Sequence, residues 1–133
     1  MSGESDTIAA MTPAPAGPFL IAYNRTRGAV VADKVAKADD YDSRTRGLLG
    51  RDSMDAGEGL WIVPCPMIHT FFMRFPIDVL FLDKELRVAR VLEDLKPWRL
   101  SPWVLRARSV LELPGGSLRG SVAKGDQLEI RDT

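Results

Sequence analysis

Apolar residues in this chain come in short runs, punctuated by glycine, proline, asparagine and aspartate. FLIAYN opens the folded part near Phe19 as a strand. NRTRG follows as a turn in which Gly28 is free to take a positive φ. AVVADKVAKA continues as a second strand. Its alternation is imperfect, with Val31, Asp33, Val35 and Lys37 on one side and Val30, Ala32, Lys34 and Ala36 on the other. The spacing changes in DDYDSRTRGLLGRDSM. Tyr41, Thr45, Leu48 and Leu49 share one helical face, Asp39 or Asp40 caps the start, and Gly50 serves as a stop. This predicts a helix over 40–50, with Arg46 and Arg51 near its end. Gly47 lies inside that helix at a cost of about 1 kcal/mol against alanine.

Glycine punctuation then opens GEGLWIVP, and MIHTFFMRF is apolar and aromatic enough for a further strand. VLFLD and LRVARVLEDL read as two strands joined by a tight turn around Asp83 to Glu85. KPWRLSPWVLRARS is a proline-broken loop. SVLELPGG is a strand that reverses at Gly115 and Gly116, and DQLEI closes the pattern after a KGD turn. Some seven strands with one or two short helices predict a mainly β protein. The expected form is a compact, antiparallel-rich β-barrel-like or sandwich domain over residues 18–133. Residues 1–17 are small, polar and proline-bearing, and are expected to form a disordered tail.

Composition narrows the function classes. The chain of 133 residues is long enough for one core without metals or disulfides. Its 18 basic and 18 acidic residues cancel, so no nucleic-acid partner is expected. No run reaches the roughly 18 apolar residues of a membrane span. A single cysteine cannot form an internal disulfide and fits a reducing compartment. The first residues have no basic start, and Glu4 and Asp6 stand where a signal peptide carries Lys or Arg, so a cytoplasmic location is expected.

RTRGLLGRDSM, GEGLWIVP, IHTFFMRFPIDVLFLD, VLELPGGS and KGDQLEI occur in an order and spacing that resembles one bacterial and archaeal family. It is the domain of unknown function family 192, also called uncharacterised protein family 0127. The resemblance covers about residues 19 to 131 and implies a small barrel-like β fold with one or two short helices. It implies no activity and no established site residues. Some relatives carry an export signal or membrane anchor. The family's central stretch usually reads Phe-Trp-Met-Lys and then a polar pair, whereas this chain has Phe72, Met73 and Arg74, then Phe75 directly before Pro76.

Candidate chemistry centres on Cys65 and His69, the only cysteine and histidine. A nucleophilic pair needs imidazole within about 3 Å of the thiol. Pro64 and Pro66 argue against a helix there, and in an extended strand four residues span about 13 Å. The two meet only if the chain turns at Pro66 and Met67. Asp78 is the candidate orienting acid. If its strand is regular it shares a face with Leu80 and Leu82, where a carboxylate must be paired. A zinc site would need more ligands than two, supplied by Asp78, Asp83 or a second subunit. Arg46, Arg51, His69, Arg74 and Asp78 form the candidate ligand-binding set, against a reading of Arg and Asp as structural ion pairs. Trp98, Arg99 and Trp103 form a candidate partner surface, against a reading in which the tryptophans cover one end of the barrel.

The favoured expectation is a noncatalytic module that binds an unknown small molecule or protein, with no cofactor. The alternatives are a small Cys/His-dependent enzyme, for hydrolysis or thiol chemistry, and a metal-binding protein.

Overall fold

The computed structural model describes residues 18–133, so the tail expected over 1–17 lies outside the described residues. Seven strands form in the order of the chain: β1 (Leu20–Asn24), β2 (Ala29–Ala38), β3 (Glu58–Ile62), β4 (Ile77–Leu82), β5 (Val88–Leu95), β6 (Ser109–Pro114) and β7 (Leu128–Asp132). One short helix, α1 (Tyr41–Arg46), lies between β2 and β3. A single sheet has the order β5-β4-β6-β3-β2-β1-β7. Only β2 and β3 pair parallel, and that pairing needs the long crossover that carries α1. The sheet curls until its edge strands meet at one end. There Arg87 bridges Gln127, the Val88 N–H donates to Asp126 O, and the Leu128 N–H donates to Leu86 O. The fold is a mainly β, antiparallel-rich half-barrel, the barrel-like rather than the sandwich form of the two that the pattern predicts.

Two apolar clusters use the two faces of this sheet. Inside the curl lie Val35, Leu80, Leu82, Leu111, Leu113 and Leu128, with Val88 from the opposite edge. Outside it, Ile62, Ile77, Val79, Phe81 and Val110 are covered by Leu48 beyond α1 and by Ile68, Met73, Val104 and Ala107 from two long loops. β4 supplies both clusters and is buried at every position, which explains why it is apolar everywhere except at Asp78.

Three local expectations change. First, β2 does not alternate: Ala32, Val35 and Ala38 are its buried residues. Leu20 pairs with Val35 but Ala22 pairs with Ala32, so β2 carries an extra residue between these pairs. That bulge turns both Ala32 and Val35 inward. Second, α1 ends at Gly47 rather than Gly50. Gly47 takes φ 48° and its N–H donates to Ser43 O. The start is capped by Asp40, whose carboxylate accepts from Ser43 N at 2.7 Å. Third, MIHTFFMRF is not a strand. Its only ladder contact is the isolated bridge of His69 with Leu100, and Phe72 takes φ 65°, which ends any extended run.

Asp78 fixes the reversal after β6. Its two oxygens accept from the backbone N–H groups of Asp94, Gly116 and Leu118 at 2.8, 3.0 and 2.9 Å. Gly115 is pressed against the start of β4. A Cβ there would stand 2.9 Å from the Pro76 carbonyl oxygen. Arg51 and Glu58 form a two-pronged buried ion pair that anchors the chain returning from α1 to the start of β3. Among the described residues, no helix is long and apolar enough to cross a membrane.

Candidate functional site

Between α1 and the outer face of the sheet lies a cleft of about 330 Å³. Arg44, Arg46 and Gly47 from the helix end border one side, and the segment from Pro64 to His69 borders the other. Its floor combines Leu48, Ile62, Ile68 and Met73 with one carboxyl group, that of Glu112.

Glu112 sits in the middle of β6, between Leu60 of β3 and Val79 of β4. Its neighbours Leu111 and Leu113 point into the curl, so strand alternation turns Glu112 to the outer face. It is only 4% exposed. No hydrogen bond or ion pair satisfies its side chain among the described residues. Burial without a partner pushes its carboxyl up to about 8, so the group is largely protonated at neutral pH.

Cys65 and His69 both line this cleft, but no hydrogen bond joins them. The chain does turn at Pro66 and Met67, and there the Cys65 thiol donates to Met67 O at 2.9 Å. Burial, with a further contribution from Glu112, pushes that thiol up to about 11. The imidazole of His69 is exposed, accepts from Phe71 N through Nδ1 at 3.3 Å, and stacks on the Phe71 ring. The arrangement offers a neutral thiol and a protonated carboxyl, not a ready thiolate.

The remaining candidates scatter. Arg46 reaches the cleft, and its guanidinium makes no hydrogen bond or ion pair among the described residues. Arg51 is bound to Glu58 and is buried, and Arg74 pairs with Asp52 at 2.8 Å. Asp78 does not line the cleft, and its oxygens are taken by three backbone amides. Among the described residues no three His, Cys, Asp or Glu side chains converge as a metal site requires.

His69 links the cleft to an exposed aromatic ledge. Its ring lies 5.0 Å from Phe71, Phe71 lies 6.2 Å from Trp98, and Trp98 lies 4.6 Å from Phe72. Phe72 is 69% exposed and Trp98 is 56% exposed. Both have positive φ, 65° and 64°, which bulky residues rarely adopt. Thr70, fully buried, holds them there. Its carbonyl accepts from the N–H groups of Met73 and Trp98, and its hydroxyl donates to Lys96 O and accepts from Arg99 N at 2.8 Å. Arg99 thus belongs to the ledge through its backbone. Trp103 instead lines a second hollow of about 520 Å³ where the sheet edges meet, beside Arg87, Arg90, Arg106 and Lys124.

Sequence reasoning missed Glu112 and Thr70. Glu112 left a signal, a lone acid inside the apolar run VLELP of a strand flanked on both sides. Thr70 left none, because its role depends on a loop distant in sequence.

Comparison with known proteins places the chain. Among relatives is a UPF0127 protein of Pyrococcus horikoshii, 39% identical over 88 residues, which are 62% of this chain and 74% of the relative. Another, from Thermococcus sibiricus, is 32% identical over 112 residues, 80% of this chain and 71% of the relative. Two bacterial crystal structures share the fold. A Novosphingobium aromaticivorans protein of unknown function has TM-score 0.72 and 23% identity, over 91% of this chain and 96% of that one. A Sinorhizobium meliloti protein, provisionally named a transcription regulator, has TM-score 0.70 and 25% identity, over 84% and 91%. The model of the family DUF192, described as Uncharacterized ACR, matches residues 22–130. This chain therefore belongs to the DUF192 family, also named UPF0127, whose function is uncharacterised.

Proposed function

We propose that this protein is a noncatalytic binding module that takes a small molecule into the cleft beneath α1. The observation that carries this reading is the ledge. Thr70 keeps Phe72 and Trp98 outward in a backbone conformation that costs of order 1–3 kcal/mol each. The contact between the two rings, worth about 0.5–1.5 kcal/mol, does not offset the strain at both positions, and exposed rings of this kind are common binding anchors. His69 makes the ledge continuous with the cleft, so one ligand can use both. A cleft of about 330 Å³ suits a small ligand. The neutral, hydrogen-bonded thiol of Cys65 supports binding over thiol chemistry. A half-buried single thiol also suits a reducing, cytoplasmic setting.

Amide-detected NMR titration with a library of small fragments tests the reading. Binders are expected to shift signals of residues 65–72 and 98–100 together, and Trp98→Ala is expected to weaken them at least tenfold. Binders that shift only the hollow around Trp103, or no binder at all, would overturn it.

A further inference from the structure

Glu112 is the one polar group on the cleft floor that nothing in the described structure satisfies. A buried carboxyl in that position is costly unless a partner arrives. Its sheet neighbours Leu60 and Val79 carry no charge. The titratable and charged groups facing the same cleft are Cys65 and His69 on one wall, and Tyr41, Arg44 and Arg46 on the other. Arg44 already donates to the Asp39 carbonyl, while the Arg46 guanidinium makes no hydrogen bond among the described residues and has only the exposed Asp40 carboxylate as a charged neighbour. An acid at the bottom and a guanidinium at the opening define a polarity along the cleft.

We propose that the cleft binds a small zwitterion, seating an ammonium group against Glu112 and a carboxylate at Arg46. This rests on reading the cleft as the ligand site. As the ammonium docks, its N–H donates to the Glu112 carboxylate, and the proton that Glu112 carried in the empty protein leaves to solvent. Binding is thus coupled to release of up to one proton, and affinity rises with pH through the range where free Glu112 loses its own proton. The ligand stays an ammonium throughout, and no bond to carbon forms or breaks.

Three probes of one length separate the charge patterns: 5-aminopentanoate, pentylamine and pentanoate. Calorimetry at pH 7 in two buffers of different ionisation enthalpy reads both affinity and proton release. The expected order is 5-aminopentanoate first, pentylamine weaker, and pentanoate weakest. Both amines are expected to release protons. Glu112→Gln is expected to lose the release and at least tenfold in affinity for both amines. Arg46→Ala is expected to erase the advantage of 5-aminopentanoate over pentylamine. Should the Glu112 variant fail to fold, the carboxyl carbon of Glu112 in the wild-type protein still reports by NMR. It is expected to move to its ionised position when 5-aminopentanoate is added at pH 7, and an unmoved signal overturns the proposal. Pentanoate binding as tightly as the amines also overturns it, while leaving a ligand-binding cleft. No binding by any probe overturns it too, and the fragment titration then judges the broader reading on its own.

Discussion

Asp78 Oδ2 accepts the Leu118 N–H at 2.9 Å, across a separation of 40 residues. With the Asp94 and Gly116 amides on its other oxygen, this buried carboxylate ties β4 to the turn after β6 and to the end of β5. A hydrogen bond to a charged group contributes about 1.5–3 kcal/mol, and an orphaned buried N–H adds a penalty. Asp78→Ala is therefore expected to lower stability by about 3 kcal/mol or more. Urea unfolding measures it. A loss below about 1 kcal/mol would show that the three amides find other acceptors.

The ledge inverts a familiar order of substitutions. Glycine at an ordinary position is less stable than alanine. At Phe72, with φ 65°, alanine keeps the left-handed strain and glycine relieves it. Both variants lose the ring contact with Trp98, worth about 0.5–1.5 kcal/mol. Phe72→Gly is thus expected to stay within about 1 kcal/mol of the wild type, and Phe72→Ala to be the less stable of the two. Paired thermal melts decide it, and the reverse order would remove the case for stored strain.

Cys65 provides a check on the cleft itself. Its thiol rises from an ordinary value of 9.0 to about 11, chiefly through burial. Only the thiolate attacks a disulfide reagent, so labelling at pH 7 is expected to be roughly 100-fold slower than in urea-unfolded protein. The folded rate is also expected to keep climbing above pH 9. A fast rate that levels off near pH 7 would instead mark an activated nucleophile.

Most of the architecture was legible because strand periodicity and glycine punctuation are local signals. The range of β2, a helix cap at Asp39 or Asp40 (Asp40 in the structure) and the face of Asp78 all follow from neighbouring residues. What failed depended on distant ones. The bulge in β2 is set by its pairing with β1. MIHTFFMRF has the composition of a strand, yet Thr70 is captured by residues Lys96 to Arg99, and the chain turns at Phe72. Cys65 and His69 stood out by rarity, while Glu112 was marked only by the apolar residues beside it. VLELP shows a lone acid in an apolar run, but the absence of any partner for it depends on β3 and β4 on either side and on the Pro64 to His69 segment above, which the run does not show.

Glu112 sets the expected pH dependence of folding. Its folded value of about 8 stands above the ordinary 4.5, so the native state holds a proton that the unfolded chain has lost. Its effect is harmless below about 4.5 and costs stability as pH rises toward 8, with a limiting slope of about 1.4 kcal/mol per pH unit. Glu58 and Asp126 act oppositely. Burial works against their ionised forms, but Arg51 and the Asp55 amide for Glu58, and Asn24, the Ala123 amide and Arg27 for Asp126, hold both below their ordinary values. Their contribution is present above those values and is lost as pH falls. Stability is therefore expected to peak near pH 4 to 5 and to decline toward pH 8, where many proteins are still near their maximum. Glu112→Gln is expected to flatten that decline while leaving the acid limb in place. Unfolding curves from pH 4 to 9 for both proteins measure it. A wild-type protein equally stable at pH 5 and pH 8 would mean that Glu112 ionises freely, and that the cleft floor is wetter than its geometry implies.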